Sequence, residues 1–303
     1  MKSSFSAPLL LSLAMLIQAS AAEAQSFKKK NQYTSIGVSL NAMNYFGDVV
    51  PEVSLSSLRR GATRANVGVG LTRRLGPRLS VRTALAYGRI TGNDAKAADP
   101  TDANAKFRYH RNVNFRNDIL ELSAVGVYDL VVNQNSYHHR PKFVPYVFGG
   151  VAVFRHNPKS RVSGGTVPAS LQQSTSYMEL QPLRTEGQQH GYSLTQLALP
   201  FGGGIRYRVS DQLDVCLEMG WRKTFTDYLD DVSGNYTSEA NLNSDAAWYF
   251  GHGITRTDDG NSFVNFNAPS SLRGRSNLQD WYIVTGITIS YIMMPKQNGA
   301  KFR

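Results

Sequence analysis

Residues 197–222, LALPFGGGIRYRVSDQLDVCLEMGWR, place the tightest constraint on what this chain can fold into. Leu197, Leu199, Phe201, Gly203, Ile205 and Tyr207 share one phase of a period of two, and Ala198, Gly202, Gly204, Arg206 and Arg208 share the other. After the break VSDQ, Leu213, Val215, Leu217, Met219 and Trp221 alternate with Asp214, Cys216, Glu218, Gly220 and Arg222. Successive side chains of a strand point to opposite faces, so the pattern predicts a hairpin with one oily face and one face of charge and glycine.

The pattern recurs along the chain. Ile36, Val38 and Leu40 oppose Gly37, Ser39 and Asn41; Ala65, Val67, Val69 and Leu71 oppose Asn66, Gly68, Gly70 and Thr72; Leu79, Val81, Leu85 and Tyr87 oppose Ser80, Arg82, Ala84 and Gly88. Near 119–130, Leu120, Leu122, Tyr128 and Leu130 oppose Glu121, Ser123 and Asp129, with Val125 and Val127 blurring the polar phase. Segment 143–154 holds Tyr146, Phe148, Ala152 and Phe154, and segment 281–291 sets Trp281, Ile283, Ile287, Ile289 and Tyr291 against Val284, Gly286, Thr288 and Ser290. Eight strands result. The links RRLGPR, NQNSYHHRPK and VSDQ are short, and those at 46–61, 91–116, 157–194 and 226–279 are long and polar, in strict alternation.

That alternation, with an even strand number, predicts an all-β fold: an eight-stranded antiparallel up-and-down transmembrane β-barrel with long extracellular loops, short periplasmic turns and both termini periplasmic. The outward phase then carries Tyr87, Phe154, Trp221 and Trp281 at the external strand ends and Tyr128, Tyr146, Tyr207 and Tyr291 at the periplasmic ends. Two aromatic girdles fit the two head-group levels of a bilayer. A secreted sandwich with one wet face shares the alternation but has no reason to sort its rings into two levels.

Composition agrees. The 26 Gly, 15 Tyr and 14 Phe in 303 residues suit many strands. The only long apolar run, Leu9–Ile17, follows Lys2 and precedes the small residues ASAAEA, which predicts a signal peptide at 1–24 and a barrel over 25–303. The run is too short for a membrane-spanning helix, so any span is β. The formal charge of +11 survives loss of the leader, which removes only Lys2 and Glu23. Scattered Lys and Arg on an exported chain point to anionic lipid head groups, including lipopolysaccharide, or an acidic partner, and away from nucleic acid. The single cysteine, Cys216, excludes an intramolecular disulfide framework and is expected to pack in the lumen.

The inward phase collects Arg64, Arg82, Glu121, Arg206, Arg208, Glu218 and Arg222, with Asp129 and Asp214. Eight strands enclose a lumen that side chains fill, so these charges are expected to interlock as a plug rather than line an ion path, with glycines 68, 70, 88, 202, 204 and 220 making room for the arginines. The histidines His110, His138, His139, His156, His190 and His252 form no recognisable catalytic set, and no HExxH, P-loop or cysteine pair occurs. The expectation is therefore no enzymatic activity, no cofactor and no metal. Asp227, Asp230 and Asp231 in TDYLDDVSGNY offer oxygens for calcium, but Asp with Ser-Gly also reads as ordinary turn chemistry, the preferred reading.

The stretches NYFGDVVP, PYVFGGVAVFRHNP and LPFGGGIRYRVSDQLDVCLEMGWRKTFTDYLDDVSGNY resemble the Bacteroidota outer-membrane barrel family that includes the type IX secretion protein PorG. The similarity is most specific over Arg222–Gly234, including Thr226, Asp227, Tyr228, Asp230 and Asp231. It implies a small non-enzymatic barrel without a cofactor that contacts the periplasmic lipoprotein and ring components of a secretion machine. The remaining expectations are a structural or adhesive barrel using its surface loops, and a lipid A-modifying barrel enzyme.

Overall fold

The computed structural model describes residues 31–50, 61–98, 101–102, 105–255 and 267–293; the leader and the basic segment FKKK at 27–30 lie outside the described residues. Eight long strands carry the fold: β1 (Thr34–Phe46), β2 (Arg64–Arg74), β3 (Leu79–Asn93), β4 (Asn114–Asp129), β5 (Phe143–Arg155), β8 (Thr195–Arg208), β9 (Leu213–Thr224) and β10 (Trp281–Met293). Each pairs antiparallel with its chain neighbours, and β1 pairs with β10 from Thr34↔Met293 to Phe46↔Trp281, which closes the ring. Closure leaves no barrel strand with an unpaired edge in the bilayer. Two short segments, β6 (Pro158–Ser160) and β7 (Met178–Glu179), extend the sheet beyond β4 on the loop side.

The outer surface identifies the solvent. Val38, Leu40, Leu122 and Val151 are each at least 60 % exposed, and Ile36, Val67, Leu85, Leu197, Ile287 and Ile289 continue the band around the ring. A continuous apolar belt on all eight strands is the surface that hydrocarbon demands and water penalises. No helix among the described residues is long and apolar enough to cross a membrane. The 15-residue β3 is about 50 Å long and, tilted by about 40°, covers about 38 Å of the normal, more than an apolar band of about 25 Å needs. The surplus carries the strands past the belt on the loop side.

Turn lengths follow the expected alternation. Leu75 and Val209 donate their amides to Leu79 and Leu213 in tight turns at 75–78 and 209–212. Arg74 N bonds to Tyr33 O and Ile292 N to Gln212 O, so the outer ends of β1 and β10 share the rim that carries the short turns. The described parts of the long loops are folded: Leu171, Leu180, Tyr249, Phe250 and Ile254 form a core of their own beyond the barrel.

One strand faces the other way from the sequence expectation. Tyr146, Phe148, Ala152 and Phe154 point into the lumen at 0–6 % exposure, whereas Phe143, Val147, Val151 and Val153 face outward. Both phases of β5 are apolar, so a period of two does not choose between them. Space inside the ring does, because the neighbouring strands present glycine there. A Cβ on Gly220 would lie 2.7 Å from the Phe148 ring and 2.6 Å from Arg222, and one on Gly204 would lie 2.8 Å from Tyr146. These glycines therefore make room chiefly for aromatic rings, where arginines were expected. The girdles accordingly lack Tyr146 and Phe154.

Candidate functional site: the filled lumen and the loop-side mouth

Four acids on the inward phase each meet an arginine. From the turn rim upward, Arg140 Nη1 bonds Asp214 at 2.5 Å, and Arg206 bonds both oxygens of Asp129 at 3.1 and 3.2 Å. Arg82 bonds both oxygens of Glu218, which also accepts the Tyr146 hydroxyl at 2.6 Å. Above them Arg222 lies 3.4 Å from Glu121, which accepts Tyr282 Oη at 2.6 Å. Pairing with added hydrogen bonds is what makes charge tolerable at such depth. Arg82, Glu121, Arg206, Glu218 and Arg222 thus form the interlocked plug.

Arg64 and Arg208 stand apart from that plug. Arg64 folds back on the carbonyls of Gly61 and Thr63, and Arg208 bonds the His138 carbonyl at the exposed turn rim. Two participants escaped sequence reasoning: Arg140, which reaches in from a turn, and Tyr146, on the strand of ambiguous phase. Glycines at 202, 204 and 220 were the available signal for the inward ring.

Between the ion pairs and the wall formed by β10, β1, β2 and β3 remains a cavity of about 110 Å³, lined by Gly37, Ser39, Gly68, Ala84, Thr288 and Cys216 among others. Such a polar space is large enough to admit water. Above it Met43, Ile90, Ile119, Phe154 and Tyr282, none more than 1 % exposed, cross the lumen. Apart from that cavity, side chains occupy the barrel from rim to mouth.

The motif Thr226–Asp231 sits on this apolar layer and has the expected turn bonds, Tyr228 N to Thr226 Oγ1 and Val232 N to Asp230 Oδ1, but it is buried rather than exposed. Leu229 and Val232 are fully buried in the layer, while Asp230 and Asp231 are 0 and 1 % exposed. Thr226 ties the segment to β10 by accepting the Asp280 amide at its carbonyl. Tyr228 stacks on Tyr192 with centroids 4.5 Å apart. Asp231, at φ +67°, accepts Thr185 Oγ1 at 2.6 Å and Tyr192 Oη at 2.7 Å.

Around the motif, Asp48, Asp94, Glu186, Asp227, Asp230, Asp231 and Asp280 share two fully buried arginines. Arg111 grips Asp94 at 2.8 and 2.9 Å and the carbonyls of Asp48 and Arg273, and Arg273 bonds Glu186 at 2.7 Å and the Asp231 carbonyl. Among the described residues acids outnumber cations there, and proton affinities respond. Burial lifts the Asp227 and Asp230 carboxyls to about 8, with the charge of Asp48 adding to both, and lifts Asp231 to about 6. Burial and then the charges of Asp230 and Asp227 also raise Asp280 well above the ordinary carboxylate range. Geometry says the same. Tyr45 Oη lies 2.6 Å from Asp230 and 2.8 Å from Asp280, but a phenol has one proton to donate, so one of the two carboxyls carries a proton and donates it back.

Three of the histidines are held by hydrogen bonds to neighbouring groups. His156 is held at about 4 by burial and bonds Asn117 and the Ser193 carbonyl, His252 bonds the Thr237 carbonyl, and His138 meets Asp211 at the exposed turn rim. Among the described residues no group of three or more His, Cys, Asp or Glu side chains is arranged to hold a metal ion.

A closed ring of eight strands, oily outside and ion-paired within, defines a membrane-spanning β-barrel of the outer-membrane type. The family model described as Domain of unknown function (DUF6089) matches residues 11–267, and the chain belongs to that family. None of the curated proteins matches it. Similar solved structures include Ail of Yersinia pestis (6 % identity, TM-score 0.37, covering 87 % of this chain and 99 % of that one). OprG of Pseudomonas aeruginosa is 10 % identical with TM-score 0.37, covering 88 % and 98 %. Neisserial surface protein A is 11 % identical with TM-score 0.37, covering 86 % and 96 %. At these values the class rests on the ring of strand pairs itself.

Proposed function

We propose that the protein is a non-enzymatic outer-membrane component of the type IX secretion system, docking a periplasmic lipoprotein and ring complex on its turn rim. The observation that supports this reading is the construction of that rim. Arg140 ties the 131–142 turn to the 209–212 turn through Asp214 and the carbonyls of Ser210 and Asp211, and Asn31 bonds the Gln134 carbonyl. A prebuilt face loses little freedom on binding. Lys142 and Arg78, each lying over a tyrosine ring, give the rim positive charge for an acidic partner. The filled lumen favours a scaffold over a conduit.

Co-purification of the ring lipoprotein with the barrel tests the reading. Reversing charge at Arg78 and Lys142 is expected to abolish capture while leaving the barrel in the membrane, and deletion of the gene is expected to block cargo secretion. Unaffected secretion in the deletion strain sinks the proposal. A second reading, a structural or adhesive barrel, draws support from the packed loop core around Tyr249 and Phe250. It predicts protease-resistant surface loops and host-ligand binding without a secretion defect.

A further inference from the structure

The loop-side edge of the apolar belt differs around the barrel. On β8 to β10 it is aromatic: Phe201 stacks on Trp221 at 6.1 Å and meets Trp281 at 6.2 Å. On β3 to β6 it is cationic. Arg89 continues the outward phase of Leu85 and Tyr87, Arg155 that of Val151 and Val153, and Arg116 that of Leu120 and Leu122. Register joins them into one patch, with Arg155 opposite Leu120, Lys159 opposite Arg116, and Arg89 opposite Asp118.

Charge does not balance in this patch. Arg89 and Arg116 share Asp118 at 2.5 and 3.7 Å, and Lys159 meets Glu179 at 2.8 Å. The hydrogen bond from Lys159, with Arg155 also nearby, holds the Glu179 carboxyl below the ordinary range. Arg161 adds a fifth cation, and Arg116 and Arg161 both lie over the Tyr177 ring, at 4.4 and 5.9 Å. Among the described residues, five cations thus face two carboxylates. Immediately below, Leu120, Leu122 and Val153 are 46, 60 and 45 % exposed, as lipid-facing residues are.

A cationic surplus bordering an acyl-chain surface fits one ligand chemistry: a phosphate group at head-group depth on a molecule whose chains lie along the belt. We propose that the β3–β6 wall binds the phosphate of an outer-leaflet glycolipid through Arg116, Arg155 and Lys159, with Arg89 supporting. Arg forks suit phosphate oxygens in pairs, and the neighbouring leucines and valine seat the chains. The site goes beyond the docking role and does not depend on which partner the turn rim holds.

Native mass spectrometry of the full-length protein released from detergent tests it with three probes: bisphosphorylated lipid A, phosphatase-treated lipid A, and inorganic phosphate. Expected is retention of the phosphorylated lipid over its dephosphorylated form, with affinity falling about fivefold per cation removed at low salt in Arg155→Gln and Arg155→Gln/Lys159→Gln. The turn-rim control Arg73→Gln should retain lipid as the parent does. Equal retention of the two lipids, parent-like binding by the double variant, or displacement of lipid by millimolar inorganic phosphate overturns the assignment. Should the double variant fail to insert, the comparison of the two lipids on the parent protein decides alone.

Discussion

The molecule buries charge in two places by opposite rules. In the lumen, four acids face four arginines, and tyrosine hydroxyls satisfy the remaining acceptors of Glu218 and Glu121. In the mouth, among the described residues, seven carboxyls gather around Arg111 and Arg273, which pair with only three of them, and the deficit is met by protons. The difference follows from position. An acid inside the ring is cut off from bulk water by the strand wall and needs a fixed cation, whereas the mouth lies beyond the belt, where loops can bring amides, hydroxyls and protons together. The lumen is thus an electrostatic lattice and the mouth a titratable lock.

The sharpest way to break the comparison is to remove a cation where few exist. Arg111→Met strands the fully buried Asp94 and cuts the links to Asp48 and Arg273, and is expected to cost about 3–5 kcal/mol, read as loss of loop amide protection with the barrel still folded. An unchanged loop exchange pattern would mean the mouth does not depend on its arginines. Next in size, Tyr146→Phe deprives Glu218 of its hydroxyl and is expected to cost about 1.5–3 kcal/mol in detergent unfolding. Parent-like stability would show that Arg82 alone satisfies that acid.

The smallest effect at pH 5, and the most diagnostic across pH, concerns protons. Carboxyls whose folded values are raised to about 8 stabilise the fold when protonated. Mouth stability is therefore greatest below the unfolded value of about 4, falls as pH rises from about 4 to about 8, and levels off above. Asp230→Asn should flatten that slope, staying within about 1 kcal/mol of the parent at pH 5 and being the more stable at pH 8. Hydrogen exchange of residues 226–236 across that range checks it, and a parent whose loop protection rises with pH contradicts the shared-proton picture.

Much of this was legible beforehand. Eight alternating segments and the inward placement of Arg82, Glu121, Arg206, Glu218 and Arg222 follow from a period of two, because in seven strands the phases differ in polarity, and the three short links follow from the spacing of those segments. The fifth strand escaped because both of its phases are apolar. Arg140 escaped because a turn residue has no phase at all. TDYLDDVSG looked like a polar turn because burial of Asp230 and Asp231 depends on partners far away in the chain, Tyr45, Thr185, Tyr192 and Arg273 among them.

By itself, then, the sequence determined a closed antiparallel barrel with an oily exterior, since alternation, strand number and connection length are local properties of the chain. Only the tertiary structure decided which acid meets which arginine, which aromatic rings fill the vacancies left by glycine, and where acids outnumber cations. Those outcomes are set by volume and charge summed across strands and loops that are distant in sequence, and no single segment contains that sum.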